Sequence, residues 1–185
     1  MSVPAVSFRP LCADDLPALA GWLAQPHVAT WWCEPSGLSS VTERYLPCLD
    51  GRDPTELFVI EVEGVAAGFI QRYLYADELD SLEALRATGT PGVDSAAGID
   101  YLIGHPNLTG RGIGPVAISG FTRLAFARYP EASAVIVGVS QANTASWRAL
   151  EKAGFTRCWA GELASDDPSD EGSQYLYRKD RSPAP

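Results

Sequence analysis

Short runs of apolar residues alternate along this chain with polar stretches that contain glycine or proline. Apolar residues in short continuous or alternating runs predict β-strands, and apolar residues three or four positions apart predict helices. The strand-type segments are 6–11, 57–75, 96–104, 133–140, 156–163 and 173–179, and 57–75 is a hairpin that turns around 63–66. The helix-type segments are 13–25, 40–49, 115–129 and 143–155, with residues 26–32 ending the first helical unit.

This order of elements predicts an α/β fold in one domain over residues 1–180, followed by a disordered tail at 181–185. A chain of 185 residues is long enough to bury a hydrophobic core. Residues 76–95 are polar and interrupted by glycine and proline, so we expect a long loop there that is functional or mobile.

The chain is acidic, with a formal net charge of −9. This charge argues against nucleic acid as a partner and suits a cationic ligand, provided that the acidic residues are concentrated. They are concentrated in two segments, with Asp77, Glu78, Asp80 and Glu83 in the first and Glu162, Asp166, Asp167, Asp170 and Glu171 in the second. Each segment is either a cation-binding surface or a solvated loop.

No apolar run has the length of a membrane span, and the first ten residues lack the basic start and apolar core of a secretory leader. We therefore expect a cytoplasmic protein that does not bind membranes, as a monomer or a homodimer. Four cysteines without C-x-x-C spacing favour small core residues over a disulfide framework or a metal site. The two histidines, His27 and His105, give poor support to a histidine-centred catalytic triad.

The segment NLTGRGIG, residues 107–114, places three glycines at alternate positions directly before a predicted helix. Glycines let backbone N–H groups approach a ligand closely, and a helix start supplies unpaired N–H donors with a partial positive charge. Arg111 adds a formal positive charge of the kind that pairs with phosphate oxygens, and Pro115 suits the first helical turn. The segment is therefore either an ordinary turn after a strand or a cradle for a phosphate group.

Two motifs follow one another along the chain: GRGIG (residues 110–114) and, about 30 residues later, NTASWRALEKAGF (residues 143–155). In this order they make the chain similar to the GNAT superfamily of acetyl-CoA-dependent N-acetyltransferases. Within the superfamily the chain resembles bacterial aminoglycoside 6'-N-acetyltransferases, through WLAQPHVATWW, ERYLP, GFIQRY, GIDYLIG and EKAGF. The resemblance implies a central, mixed but mostly antiparallel sheet that splays between strands 4 and 5 and is flanked by helices.

The resemblance also implies where acetyl-CoA binds as co-substrate, with no metal. The glycine turn, through Gly110, Arg111, Gly112, Ile113 and Gly114, would hold the pyrophosphate. The pantetheine arm would lie between strands 4 and 5. Its other expected contacts are the main chain of Ile99, Tyr101, Leu102 and Ile103, and the side chain of Asn143. Asn143 is equally an ordinary helix N-cap.

Asp100 is an acid within an otherwise apolar strand, where a carboxylate is costly unless it serves a site or meets a partner. It matches the aspartate assigned as general base in the aminoglycoside enzymes, and a structural salt bridge is the alternative. The same resemblance implies an aminoglycoside acceptor and a set of residues that contact it. These are Trp31, Trp32, Gln71, Asp77, Glu78, Asp80, Asp100, Asp167 and Asp170.

The chain departs from the resembled pattern at two positions. Many family members carry a tyrosine, the general acid, where this chain has Leu150 before EKAGF. The resembled aminoglycoside enzymes carry an acceptor-binding carboxylate where an ungapped alignment places Gly138. These departures keep two alternatives open: an acetyltransferase for a siderophore hydroxylamine or another small amine, and a domain that binds acyl-CoA without catalysis.

Overall fold

The computed structural model describes residues 4–182. Across them, seven strands form one sheet: β1 (Val6–Pro10), β2 (Glu56–Val62), β3 (Val65–Leu74), β4 (Ala96–Ile103), β5 (Ala134–Ser140), β6 (Thr156–Glu162) and β7 (Ser173–Asp180). The α-helices are α1 (Leu16–Leu23), α2 (Pro26–Trp32), α3 (Leu38–Leu49), α4 (Leu79–Ala87), α5 (Ile113–Arg128) and α6 (Thr144–Lys152). Within the described residues, no helix is long and apolar enough to cross a membrane.

The strands lie in the order β1-β2-β3-β4-β5-β7-β6. Neighbouring strands are antiparallel except for β4 and β5, which are parallel. β4 and β5 pair only along 96–98 and 134–136, although β4 continues to residue 103 and β5 to residue 140. The two strands therefore splay apart, and the predicted mixed sheet with a splay between strands 4 and 5 is confirmed.

Side chains alternate between the two faces of the sheet, and each face is covered by helices. On one face, Ile99 of β4 packs with Ile118 and Phe121 of α5 and with Leu150 of α6. On the other face, Leu102 of β4 joins a cluster formed largely by α1 and α3. Alternation along β4 therefore directs Asp100 to the α1–α3 face, and Tyr101 to the α5–α6 face.

Residues 76–95 differ from the predicted long loop because they contain α4. Leu82 and Leu85 of this helix are buried in a cluster with Tyr75, Ile136 and Leu176. The helix is short, and its outer positions are polar, so its apolar spacing is weak in the sequence. The burial of two leucines against the sheet stabilises this helix, which local propensity alone would not do.

The cysteines are not the small core residues that the sequence predicted. Cys12, Cys33 and Cys158 are exposed and Cys48 is half-buried, and all four are free thiols. Arg181, assigned to the tail from the sequence, donates hydrogen bonds to the carbonyls of Phe126, Tyr129 and Ala132. The last residues of the predicted tail, 183–185, lie outside the described residues.

Candidate active site

A cavity of about 270 Å³ lies where β4 and β5 diverge. Gln71, Asp100 and Gly138 line it from the sheet, and Asn143 and Ser146 line it from α6. Asp100 belongs to the α1–α3 face and α6 to the opposite face, so the cavity reaches both faces through the splay. A sheet with continuous pairing would close this passage.

The glycine turn gives α5 an open N-terminus. Gly110 and Gly112 have φ values of +72° and +80°, a left-handed conformation that side chains rarely adopt, and α5 begins at the next residue, Ile113. The Ile113 side chain is buried with Val62 and Ala67, so its main chain is the part available to a ligand. The N–H groups of the first helical turn have no partner within the helix, as an anion site requires.

The main chain of β4 offers a second row of polar groups. Gly104 N–H donates to the Ala67 carbonyl at 2.8 Å, so residue 102, two positions earlier, also directs its polar groups toward β3. Ile99, Tyr101 and Ile103 therefore direct theirs toward the splay. The Ile103 carbonyl already bonds to His27 Nε2, at 2.8 Å.

Leu102 does not fit the predicted contact with the pantetheine arm. Its main chain pairs with Phe69 of β3, and its side chain is buried in the cluster with α1 and α3. The physical reason is the alternation of a strand's polar groups, which leaves only every second residue of β4 facing the splay.

Asp100 occupies an apolar strand but has polar neighbours. Gln71, directly opposite on β3, donates a hydrogen bond from Nε2 to Asp100 Oδ2 at 2.8 Å. The Tyr73 ring lies over Gly98, whose missing Cβ leaves room for it. Burial raises the pKa of Asp100 to about 6, against hydrogen bonds from Gln71 and Tyr73 that lower it. Asp100 has no salt-bridge partner among the described residues, so the salt-bridge alternative lacks support.

The lining of the cavity is acidic. Of the predicted acceptor contacts, Trp31, Trp32, Gln71, Glu78, Asp100, Asp167 and Asp170 line the cavity. Asp77 and Asp80 do not, because they lie on exposed positions at the start of the α4 segment. Two further carboxylates, Glu34 and Asp53, line it from loops that carry no recognisable motif. Glu34 comes two residues after Trp32, and that proximity is the one signal that could have marked it.

The second acidic segment folds back onto the cavity. Asp167 Oδ1 accepts hydrogen bonds from Ser169 N–H at 2.8 Å and Ser169 Oγ–H at 2.7 Å, which stabilises a turn at Pro168–Asp170. Gly138 of β5 also lines the cavity, without a side chain of its own. Burial raises the pKa of Asp170, and the negative charge of Asp170 contributes to the raised pKa of Asp100.

The start of α6 places two polar side chains on the other side of the splay. Asn143 Oδ1 accepts the Ser146 N–H at 3.2 Å, so Asn143 is the N-cap of the helix and also lines the cavity. Leu150, one turn beyond Ser146, is fully buried in the core. Its side chain packs against the sheet and offers no proton.

The cavity through a splayed sheet, beside a glycine turn that opens a helix, agrees with the family comparison. The family model described as an acetyltransferase (GNAT) domain matches residues 12–163 of this sequence. The chain belongs to the GNAT acetyltransferase family. No curated protein matches the chain significantly. As a family member it is an acetyltransferase that uses acetyl-CoA as co-substrate, which confirms that part of the sequence prediction.

Solved structures are similar to this chain over almost its whole length. The aminoglycoside acetyltransferase AAC(6')-Ib in complex with coenzyme A is 25% identical, with a TM-score of 0.77, and the match covers 96% of this chain and 95% of that one. The same enzyme with coenzyme A and kanamycin matches with the same values. An aminoglycoside N(6')-acetyltransferase from Legionella pneumophila is 15% identical, with a TM-score of 0.68, and the match covers 96% of this chain and 92% of that one. This match shows that the two proteins have the same fold.

Proposed function

We propose that this acetyltransferase transfers the acetyl group of acetyl-CoA to an amine of a polycationic aminoglycoside. The observation that carries the proposal is the charge of the cavity. Among the described residues, its lining includes six carboxylates and a single cation, Arg44; the carboxylates are Glu34, Asp53, Glu78, Asp100, Asp167 and Asp170. Several carboxylates around one small cavity suit an acceptor with several ammonium groups.

In this proposal the two sides of the splay hold the two substrates. The pyrophosphate of acetyl-CoA lies at the glycine turn, and the pantetheine arm follows the main chain of Ile99, Tyr101 and Ile103. Asn143 contacts the arm from α6. A main-chain N–H of β4 donates to the thioester oxygen and stabilises the negative charge that develops there.

Asp100 serves as the general base. Its raised pKa makes it a stronger base than an ordinary carboxylate, and it is still mostly ionised at pH 7. The acidic cavity stabilises the ammonium form of the acceptor, which opposes deprotonation. The acceptor therefore reacts either as its minor neutral amine or after a water relays its proton to Asp100.

Aromatic and acidic side chains complete the acceptor site. Trp31 and Trp32 both line the cavity, and the ring of Trp32 packs edge-on against Phe69 at a centroid distance of 5.9 Å. A tryptophan fixed in this way presents a rigid wall to a sugar ring. Asp167 and Asp170 stand beside Gly138 and compensate for the carboxylate that β5 lacks.

Thiol release from acetyl-CoA, measured with and without kanamycin, tests the proposal. We expect release of coenzyme A that depends on kanamycin and saturates with it. A siderophore-type enzyme would release no thiol with kanamycin but would release it with a hydroxylamine side chain as acceptor. A non-catalytic binder would release no thiol with any amine. Either result would refute the aminoglycoside assignment.

Replacing Asp167 and Asp170 together with asparagine should raise KM for kanamycin at least about tenfold, since each charge-assisted hydrogen bond is worth roughly 1.5–3 kcal/mol. Asparagine at residue 167 still accepts the Ser169 N–H, so the turn is preserved. The affinity for acetyl-CoA should stay within about twofold, because the turn lies on the acceptor side. Steady-state kinetics at low and high salt measure the effect, which should shrink as salt screens the charges.

The double substitution of Asp77 and Asp80 with asparagine is the matched control. It removes the same net charge from exposed positions outside the cavity lining. If both double variants raise KM equally, the effect is one of overall charge, and the Pro168–Asp170 turn does not anchor the acceptor.

A further inference from the structure

Two hydroxyl groups meet on the α5–α6 face of the sheet, beside the splay. Tyr101 Oη of β4 lies 2.9 Å from Ser146 Oγ of α6, within hydrogen-bond distance. Both residues line the cavity, and Tyr101 directly follows Asp100. The pair thus lies where the cavity opens to the α5–α6 face.

The pair stands close to the position where the helix lacks a proton donor. Ser146 and Leu150 are four residues apart on α6, so their side chains lie on the same face, one turn from each other. Leu150 is fully buried, whereas Ser146 and Tyr101 are both half-buried at the cavity wall. The hydroxyl groups that α6 and β4 bring to this part of the cavity are those of the pair.

We propose that the Tyr101–Ser146 pair donates a hydrogen bond to the sulfur of acetyl-CoA as the thiolate leaves. In each hydroxyl pair one O–H donates to the other oxygen, and the second O–H remains free to point at a ligand. The geometry thereby supplies one donor for the sulfur whichever way the pair is oriented. This inference rests on acetyl transfer, and it does not depend on which amine accepts the acetyl group.

The Tyr101–Ser146 pair keeps both of its protons during acetyl transfer. The amine nitrogen bonds to the carbonyl carbon, the carbon–sulfur bond breaks, and its electron pair leaves with sulfur. The proton of the amine passes to Asp100 and then to solvent, and the released thiolate takes a proton from solvent. Burial raises the pKa of Tyr101, so the phenol keeps its proton at neutral pH and acts as a hydrogen-bond donor.

The substitutions Tyr101→Phe and Ser146→Ala test the proposal against a matched control, Tyr177→Phe. Tyr177 is also a buried tyrosine in the sheet, and its hydroxyl donates to Glu151 at 2.9 Å away from the cavity lining. We expect Tyr101→Phe to lower kcat by about 10- to 100-fold, somewhat less than the loss of one oxyanion-hole donor. Ser146→Ala should have a smaller effect in the same direction, while Tyr177→Phe leaves kcat within about twofold.

Hydroxylamine at high concentration serves as the amine in these assays, because it needs no acidic acceptor site. An enzyme that acetylates hydroxylamine but not kanamycin would refute the aminoglycoside proposal and still report on the pair. Calorimetric titration should give an unchanged affinity for acetyl-CoA in Tyr101→Phe. A fall in affinity as large as the fall in kcat would show that the residue merely supports the binding site.

The dependence of rate on the leaving group separates donation to sulfur from a structural role. With a series of acetyl thiophenol esters, kcat/KM of the wild type should depend weakly on the acidity of the departing thiol. In Tyr101→Phe the dependence should steepen, and the loss should vanish for the most acidic thiol, which leaves without assistance. An equal loss with every ester, or no loss with any, would overturn the proposal.

Discussion

Replacing Asp100 with asparagine is expected to lower kcat by about 10²- to 10⁴-fold, the range of a positioned general base. Asparagine has nearly the same shape and still accepts the Gln71 hydrogen bond, but it takes no proton from the acceptor amine. In the wild type, kcat should rise with pH through the region in which Asp100 ionises, near pH 6 before a cationic acceptor lowers that value. Steady-state kinetics from pH 5 to pH 9 measure both effects.

The stability of the same variant shows whether its loss of activity is chemical. The folded-state pKa of Asp100, about 6, lies above the ordinary value of 3.8. The folded state therefore binds more protons between these values, so the carboxylate increasingly destabilises the fold as pH rises through this window. Asp100→Asn should increase the free energy of unfolding by about 1–3 kcal/mol at pH 8 and by little at pH 4.

Acetyl-CoA affinity is the second control on Asp100→Asn, since a base acts on the acceptor. Calorimetric titration should give a value within about twofold of the wild type. An Asp100→Asn protein that is more stable above pH 6 but keeps its kcat would place the base at another residue. Asp100 would then be a half-buried acid without a catalytic role.

Gly112→Asp should reduce the affinity for acetyl-CoA by more than about 100-fold, or roughly 3 kcal/mol. The substitution puts a carboxylate at the N-cap of α5, beside the proposed pyrophosphate, where two negative charges repel each other. It also imposes a side chain on a residue with a φ of +80°. Calorimetric titration of acetyl-CoA measures the loss, and circular dichroism checks that the fold is retained.

Gly112→Ala separates charge from backbone strain. Alanine carries at least as large a conformational penalty as aspartate at a positive φ, about 1–3 kcal/mol, without the negative charge. We expect its loss of affinity to be clearly smaller than that of Gly112→Asp. Equal losses in the two variants would mean that the conformation of the turn matters and that no anion binds beside residue 112.

The sequence by itself determined the features that depend on local chemistry. The glycines at 110 and 112 are needed wherever the chain takes a left-handed conformation before a helix, and the structure has both in that conformation. Asn143 is an N-cap because its side chain accepts a hydrogen bond from the helix three residues later. Alternation along β4 marked Asp100 as a carboxylate in an apolar strand, since a residue's face depends only on its position in the strand.

Only the tertiary structure decided which acidic residues share the cavity. Asp77 and Asp80 belong to a dense acidic run but face solvent, whereas Glu34 and Asp53 come from unremarkable loops and line the cavity. Tyr101 and Ser146 are 45 residues apart and meet because α6 packs over the face of β4 on which Tyr101 lies. Such contacts join distant segments, and their formation depends on how whole elements pack, so no local pattern of charge or hydrophobicity records them.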